Sequence, residues 1–334
     1  MQPFRVFLAA LLFPALLCLT PPTQARESPQ EKSQAIRVRV ERVNVGVIVT
    51  GIRGQFVEGL HREDFHILDN GVEQPLSDFA AIDEPAQVLI LIEAGPAVYL
   101  LEGGHLQAAL ALLSGLSPGD RVAVVKYADA PEAILDFTVE KRAAAAAFGH
   151  LRFNLGFGSL NLSSSVSKVL EWLTAVHGKK TIVLLSTGVD TSPSNESELV
   201  MQQLKTSDVR LFVVSLTGGL QNPQPANKKK SSRVNSAQVT QQFEQADQIL
   251  KRMAESTGGR AYFPASSEEF NFVYEEIAQL VRHEYSLGFA PPAGDGMVHS
   301  IEVRVAIPQS PASNVPAASY RIDHRRAYLA PGRQ

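Results

Sequence analysis

Gly115-Leu116-Ser117-Pro118-Gly119 has the spacing of a nucleophile elbow, the sharp turn from which a serine attacks a carbonyl. That chemistry needs the turn to follow a strand and open a helix. Here an apolar helical stretch precedes it and the buried run Val122–Val125 follows, so the five residues read as a turn at the opposite edge of a sheet. Gly156-Phe157-Gly158 begins like a dinucleotide-binding loop but has no third glycine and does not follow the first strand. No phosphate-cradling loop of the G-x-x-x-x-G-K-[ST] type occurs. The eight histidines lack zinc spacing, and His283-Glu284 is adjacent rather than one helical turn apart. Cys18, the single cysteine, lies in the N-terminal apolar run, so a processed chain has neither a thiol nucleophile nor a disulfide. Trp172 shares a helical face with Val169, Leu173 and Val176 and reads as core. The expectation is a protein that is not an enzyme.

The elements that would position any site fall into two grammars. Ile36, Val38 and Val40, then Val43, Val45, Val47 and Val49, alternate with period two, and Asp69-Asn70-Gly71 supplies the positive φ of a tight hairpin. From Val88 the pattern changes. Val88–Ile92, Val122–Val125, Thr181–Leu185 and Leu211–Leu216 are apolar on both faces, as central parallel strands covered by helices are. Ala133–Val139 reads as a further strand. Helical stretches at about 98–113, 143–148, 162–176, 196–206, 243–256 and 268–282 alternate with them, which implies an α/β, doubly wound, mostly parallel sheet. Strand pattern returns at Tyr285–Phe289, Ile301–Ile307 and Ala318–Ile322, so the two ends are expected to pair into one small all-β accessory module.

The domain boundaries follow. Arg5, the apolar run Val6–Leu19 and Thr23-Gln24-Ala25 read as a secretory signal peptide over 1–25. A membrane anchor is the other reading, and the run is short for it. A lipoprotein signal through Cys18 meets Leu17 where a small residue belongs. Residues 26–35 form a polar leader, 36–83 the N-terminal β segment, 84–282 the α/β core with a polar loop at 218–238, and 283–334 the C-terminal β segment. The chain is therefore expected to be exported, periplasmic or secreted, with no transmembrane helix after processing. A formal net charge of −3 over 334 residues gives no electrostatic reason to expect nucleic acid. Lys228-Lys229-Lys230 is too short a run to change that.

L-S-P-G-D-R-V-A-V-V (116–125), G-F-G-S-L-N-L (156–162), I-V-L-L-S-T-G-V-D (182–190) and M-A-E-S-T-G-G-R-A-Y-F (253–263) resemble, in this order, the von Willebrand factor A domain. With V-x-G-L-H-R-E-D-F-H-I-L-D-N-G (57–71) and E-Y-S-L-G-F-A-P (284–291), the chain looks like the secreted bacterial branch of that family, of acidobacterial type, over roughly 36–328. The resemblance implies a Rossmann-like fold and a metal-ion-dependent adhesion site, in which D-x-S-x-S, a threonine and an aspartate cage Mg²⁺ with hard oxygen ligands.

This sequence departs from that cage. D-x-S-x-S falls on Glu93-Ala94-Gly95-Pro96-Ala97, the threonine on Ser159 or Leu160, and the aspartate on Thr187, with Gly188 and Asp190 retained. The expected reading is no cofactor; a weak Mg²⁺ site on Glu93, Ser159 and Asp190 is the alternative. Glu93 then reads as a helix cap and Asp190 as a cap on 192–195. In such a sheet ligands meet the carboxyl ends of the strands, so a protein partner is expected to contact Glu93, Gly95, Ser159, Asn161, Thr187 and Asp190. A cation-dependent adhesin, a cofactor-free envelope hydrolase and a subunit of an envelope assembly stand as alternatives.

Overall fold

The computed structural model describes residues 42–80, 84–96, 105–152, 158–221, 236–292, 295–306 and 320–332. The first half of the expected Ile36–Val49 alternation, the proposed signal peptide and the leader lie outside them. Strand β1 (Val43–Gly51) is followed by β2 (Phe65–Asp69), β3 (Val72–Gln74) and β4 (Leu76–Ala80). The turn between β2 and β3 has Asn70 at φ 48° and Gly71 at φ 82°, the left-handed pair that a two-residue hairpin needs.

The α/β region comprises β5 (Ala86–Glu93), α1 (His105–Gly115), β6 (Arg121–Tyr127), β7 (Pro131–Thr138), α2 (Lys141–Gly149), α3 (Leu162–Leu173) and β8 (Lys179–Ser186). It continues with α4 (Ser194–Thr206), β9 (Val209–Ser215), α5 (Thr217–Gln221), α6 (Ser236–Ser256), β10 (Ala261–Tyr262) and α7 (Ser267–Arg282). The sheet order is β10-β9-β8-β5-β6-β7, parallel except for the antiparallel edge strand β7. The strands are apolar throughout because each face meets helices. Val88, Ile90 and Ile92 pack with α1, α2 and α7 on one side, while Leu89 and Leu91 pack with α3, α4 and α6 on the other. Trp172 lies on α3 against Phe137, with ring centres 5.9 Å apart.

Two expectations are corrected here. The polar stretch 218–238 is not loop at its ends: 217–221 form α5, and α6 begins at Ser236 rather than near Phe243. Their apolar spacing is too sparse to signal a helix.

After α7 come β11 (Tyr285–Phe289), β12 (Val298–Val305), β13 (Tyr320–His324) and β14 (Ala327–Leu329). These join the first four strands in two antiparallel sheets, ordered β13-β1-β11-β4 and β14-β12-β2-β3. Val43, Val45, Val47, Ile67, Leu287, Phe289, Ile301 and Val303 fill the space between them. Strands from the two ends of the chain thus make one sandwich.

The sandwich is tied to the α/β region by buried arginines. β13 pairs with β1 only over Val47–Gly51, which leaves the carbonyls of Asn44 and Gly46 without a strand partner on that side. Arg325 donates to Asn44 O at 2.5 Å and across to Thr206 O of α4 at 3.3 Å, and Arg210 of β9 donates to Gly46 O at 2.9 Å. Arg210 is also ion-paired with Glu284 at 3.3 Å, both side chains being buried. Arg260 holds Asp323 at 2.6 Å and Glu276 at 3.1 Å. Buried carbonyls need donors, and guanidinium groups supply several at once.

Candidate functional site

β5, β6 and β8 end side by side at the carboxyl edge, and there they bring together Glu93, Tyr127, Ser186 and Thr187. All four are fully buried, none more than 1% exposed. Tyr127 donates its phenol to Glu93 Oε2 at 3.2 Å, and Ser186 Oγ donates to the same oxygen at 3.0 Å. Thr187 gives its N–H to Oε2 at 2.8 Å and its hydroxyl to Oε1 at 3.0 Å. Glu93 is therefore a carboxylate surrounded by neutral donors from two neighbouring strands. Among the described residues its bonds run sideways across the sheet, and the N–H groups at the start of the next helix, which it was expected to cap, lie outside them. Burial raises its pKa, and the hydrogen bonds from Thr187, Ser186 and Tyr127 oppose that rise. Burial, with the Glu93 charge beside it, also holds the Tyr127 phenol well above its ordinary range.

Asp190 works elsewhere. Its Oδ2 accepts from Ser163 N at 3.1 Å and Ser163 Oγ at 2.5 Å, in the first turn of α3. Its Oδ1 accepts from Ser192 N at 2.9 Å. The cap expected over 192–195 is thus present at Ser192, and a second one on α3, which the sequence did not suggest, is added to it. Acidic oxygens at helix starts are stabilised by the unpaired N–H groups there.

The rim is stitched by backbone bonds. Leu160 N donates to Thr191 Oγ1 at 2.8 Å, and Thr191 N donates back to Leu160 O at 2.7 Å. Asn161 N donates to Ala128 O at 2.7 Å, and the Asn161 amide nitrogen reaches Asp129 Oδ1 at 3.0 Å. Thr191 Oγ1 donates to Asn161 Oδ1 at 2.9 Å. Three loops are thereby locked to one another.

Of the expected contact residues, Ser159 is exposed and Asn161 and Asp190 are half-buried, but Glu93, Gly95 and Thr187 are buried. Sequence reasoning gave no role to Tyr127, Ser186 or Thr191, and met Leu160 only as an alternative for the family's threonine position. The cue available was polar residues closing otherwise apolar strands, Tyr127 at the end of β6 and Ser186 at the end of β8. It also missed Asp247 of α6, which accepts from Ser215 Oγ at 2.7 Å and Thr217 Oγ1 at 3.0 Å and whose pKa burial raises. Gly156 and Phe157 lie outside the described residues. Ser117 lies in the turn between α1 and β6, where Asp120 accepts its N–H at 2.7 Å.

The sheet order and the carboxyl-edge loops define a Rossmann-like domain of the von Willebrand A type. The model of the von Willebrand factor type A domain family matches residues 105–276, just over half of the chain, and the chain belongs to that family. Among solved structures it is similar to an aerotolerance-related membrane protein from Bacteroides fragilis, at 14% identity over 59% of this chain and 98% of that one, with a TM-score of 0.43. BatB from Bacteroides thetaiotaomicron is similar at 13% identity over 59% and 99%, with a TM-score of 0.41. A von Willebrand factor type A protein from Catenulispora acidiphila is similar at 9% identity over 88% and 75%, with a TM-score of 0.46. No curated protein matches the chain.

Proposed function

We propose that this chain is an exported, non-enzymatic protein-interaction module that binds its partner through the carboxyl-edge loops without a metal ion. The observation that carries the reading is the saturation of Glu93. A divalent ion of the Mg²⁺ type wants free, hard oxygens in an octahedral shell. Both Glu93 oxygens already accept protein hydrogen bonds, and the nearby hydroxyls of Ser186 and Thr187 are turned to donate to it. Asp190 is engaged with Ser163. The residues present do not fit the ion. Among the described residues, no group of three His, Cys, Asp or Glu side chains is placed to hold a metal, and no helix is long and apolar enough to cross a membrane.

What the edge does offer is a pre-ordered rim. Ser159, Asn161, Thr191 and Val189, the last 40% exposed, present hydroxyl, amide and apolar groups on loops that are already cross-bonded. Rigid loops lose little entropy on binding. The absence of an elbow, a phosphate loop or a zinc motif in the sequence supports the non-enzymatic part, and the residues 1–25 support export.

The test is capture of a partner from cell envelopes by the purified chain, with chelator and with millimolar Mg²⁺, alongside Asn161→Ala and Thr191→Val. Equal capture in both buffers and at least ten-fold weaker capture by the variants is the expected result. Capture that requires Mg²⁺ would establish the cation-dependent adhesin instead, and turnover of an envelope polymer would end the non-enzymatic reading.

A further inference from the structure

Gly95 stands where the family's ion site keeps a serine and Leu160 is one of the two residues on which its threonine position falls, and the geometry brings the two together. A β-carbon on Gly95 would stand 3.0 and 3.2 Å from the two methyl carbons of Leu160, and 3.2 Å from Glu93 Oε1. The space that a serine side chain at 95 would need is thus already held by Leu160, next to the buried carboxylate. The Leu160 backbone is not free to withdraw. Its own N–H and carbonyl are bonded to Thr191, and Asn161, the next residue, is bonded to Ala128.

We propose that Gly95 and Leu160 are a coupled pair that fixes the binding chemistry of this edge, with the Leu160 side chain as a permanent apolar plug beside the Glu93 carboxylate. With the plug in place, methyl groups stand beside the carboxylate where an ion would otherwise mediate, and a partner's acidic side chain finds no cation there. An acidic side chain there would approach the Glu93 charge with no cation between them and would lose its hydration for nothing. Leu160 is in this sense a specificity-determining residue, and the proposal rests on the reading of the carboxyl edge as the binding surface.

The experiment is a double-mutant cycle on the full chain with Gly95→Ser, Leu160→Thr and both together, read by thermal unfolding and by the electron paramagnetic resonance of free Mn²⁺. Gly95→Ser alone should lower the melting midpoint by several degrees, because overpacking a fixed neighbour is destabilising. In the Leu160→Thr background the same change should cost less than half as much, since contacting residues couple. The unaltered chain and both single variants should leave millimolar Mn²⁺ free. The double variant should bind it, its midpoint rising by about 3 °C at ten times Kd, and adding Glu93→Gln should remove that gain.

Additive costs around the cycle would overturn the coupling, as would Mn²⁺ binding by the unaltered chain. A folded double variant that ignores Mn²⁺ would show that Leu160 does not decide the matter. Should the Ser/Thr pair fail to fold, Gly95→Ala with Leu160→Ala gives the same cycle without polar groups, and additivity there sinks the pair equally. Loss of the partner-capture result with the cycle intact would remove the function reading and leave the coupling standing.

Discussion

The carboxyl edge and the seam beneath the sandwich both bury charge, and they stabilise it differently. At the edge, one carboxylate is surrounded by neutral hydroxyls and an amide N–H, with no cationic side chain bonded to it among the described residues. At the seam, guanidinium groups meet carboxylates and backbone carbonyls together, as Arg210 does with Glu284, Gly46 and Gly258. Neutral dipoles can hold either protonation state of a carboxyl group, whereas a buried ion pair needs both charges. The edge is therefore a proton-sensitive device and the seam a mechanical one.

The largest expected effect breaks the seam. Glu284→Ala leaves Arg210 buried without its counter-charge and should cost about 3–5 kcal/mol, read as a shift in the urea midpoint. Next, Tyr127→Phe withdraws a phenol bonded to both Glu93 and Ser186 and should cost about 1–3 kcal/mol by the same measurement. An effect near zero would mean that water replaces the phenol and that the edge is not sealed.

pH separates the regions further. The folded state raises the Glu93 pKa above its ordinary 4.5. That contribution is whole below 4.5 and is lost as pH rises through the folded value, so stability relative to Glu93→Gln should fall on going from acid toward neutrality. His324 in the sandwich behaves oppositely. It accepts from Val303 N at 3.3 Å and donates to Arg325 O at 2.7 Å, an arrangement that only the neutral ring permits. Burial lowers its pKa from 6.5 to about 4. Its contribution is present above 6.5 and drains away between there and about 4, a loss that His324→Gln should not show in urea midpoints taken across that range. The smallest effect belongs to Asn70→Ala, which forces an alanine to positive φ and should cost about 1 kcal/mol.

The α/β sheet was legible because Val88–Ile92, Ile182–Leu185 and Leu211–Val214 are apolar at every position, a pattern that only helices on both faces explain. The hairpin was legible in Asn70-Gly71. The network around Glu93 was not, because its donors lie 34 and 94 residues away and depend on strand register. The arginine seam was hidden for a related reason. Arg210 sits in an apolar strand, and its need for charge appears only once β13 leaves β1 short of a hydrogen-bonding neighbour. Leu160 stood in the sequence only as one alternative for a threonine position, and its packing against Gly95 needed the fold.

The sandwich also sets a timetable. β1 pairs with β11 and β13, so beyond the local contact of its end with Phe56 and Val57 its valine-rich strand gains no sheet neighbour until residues from Tyr285 onward are available. Every chain that emerges amino end first must carry that strand without its sheet partners while the whole α/β region forms. Such long-range closure is slow and exposes a sticky edge in the meantime. Aggregation during synthesis, rather than thermal unfolding of the finished molecule, is then the step at which the growing polypeptide is most vulnerable.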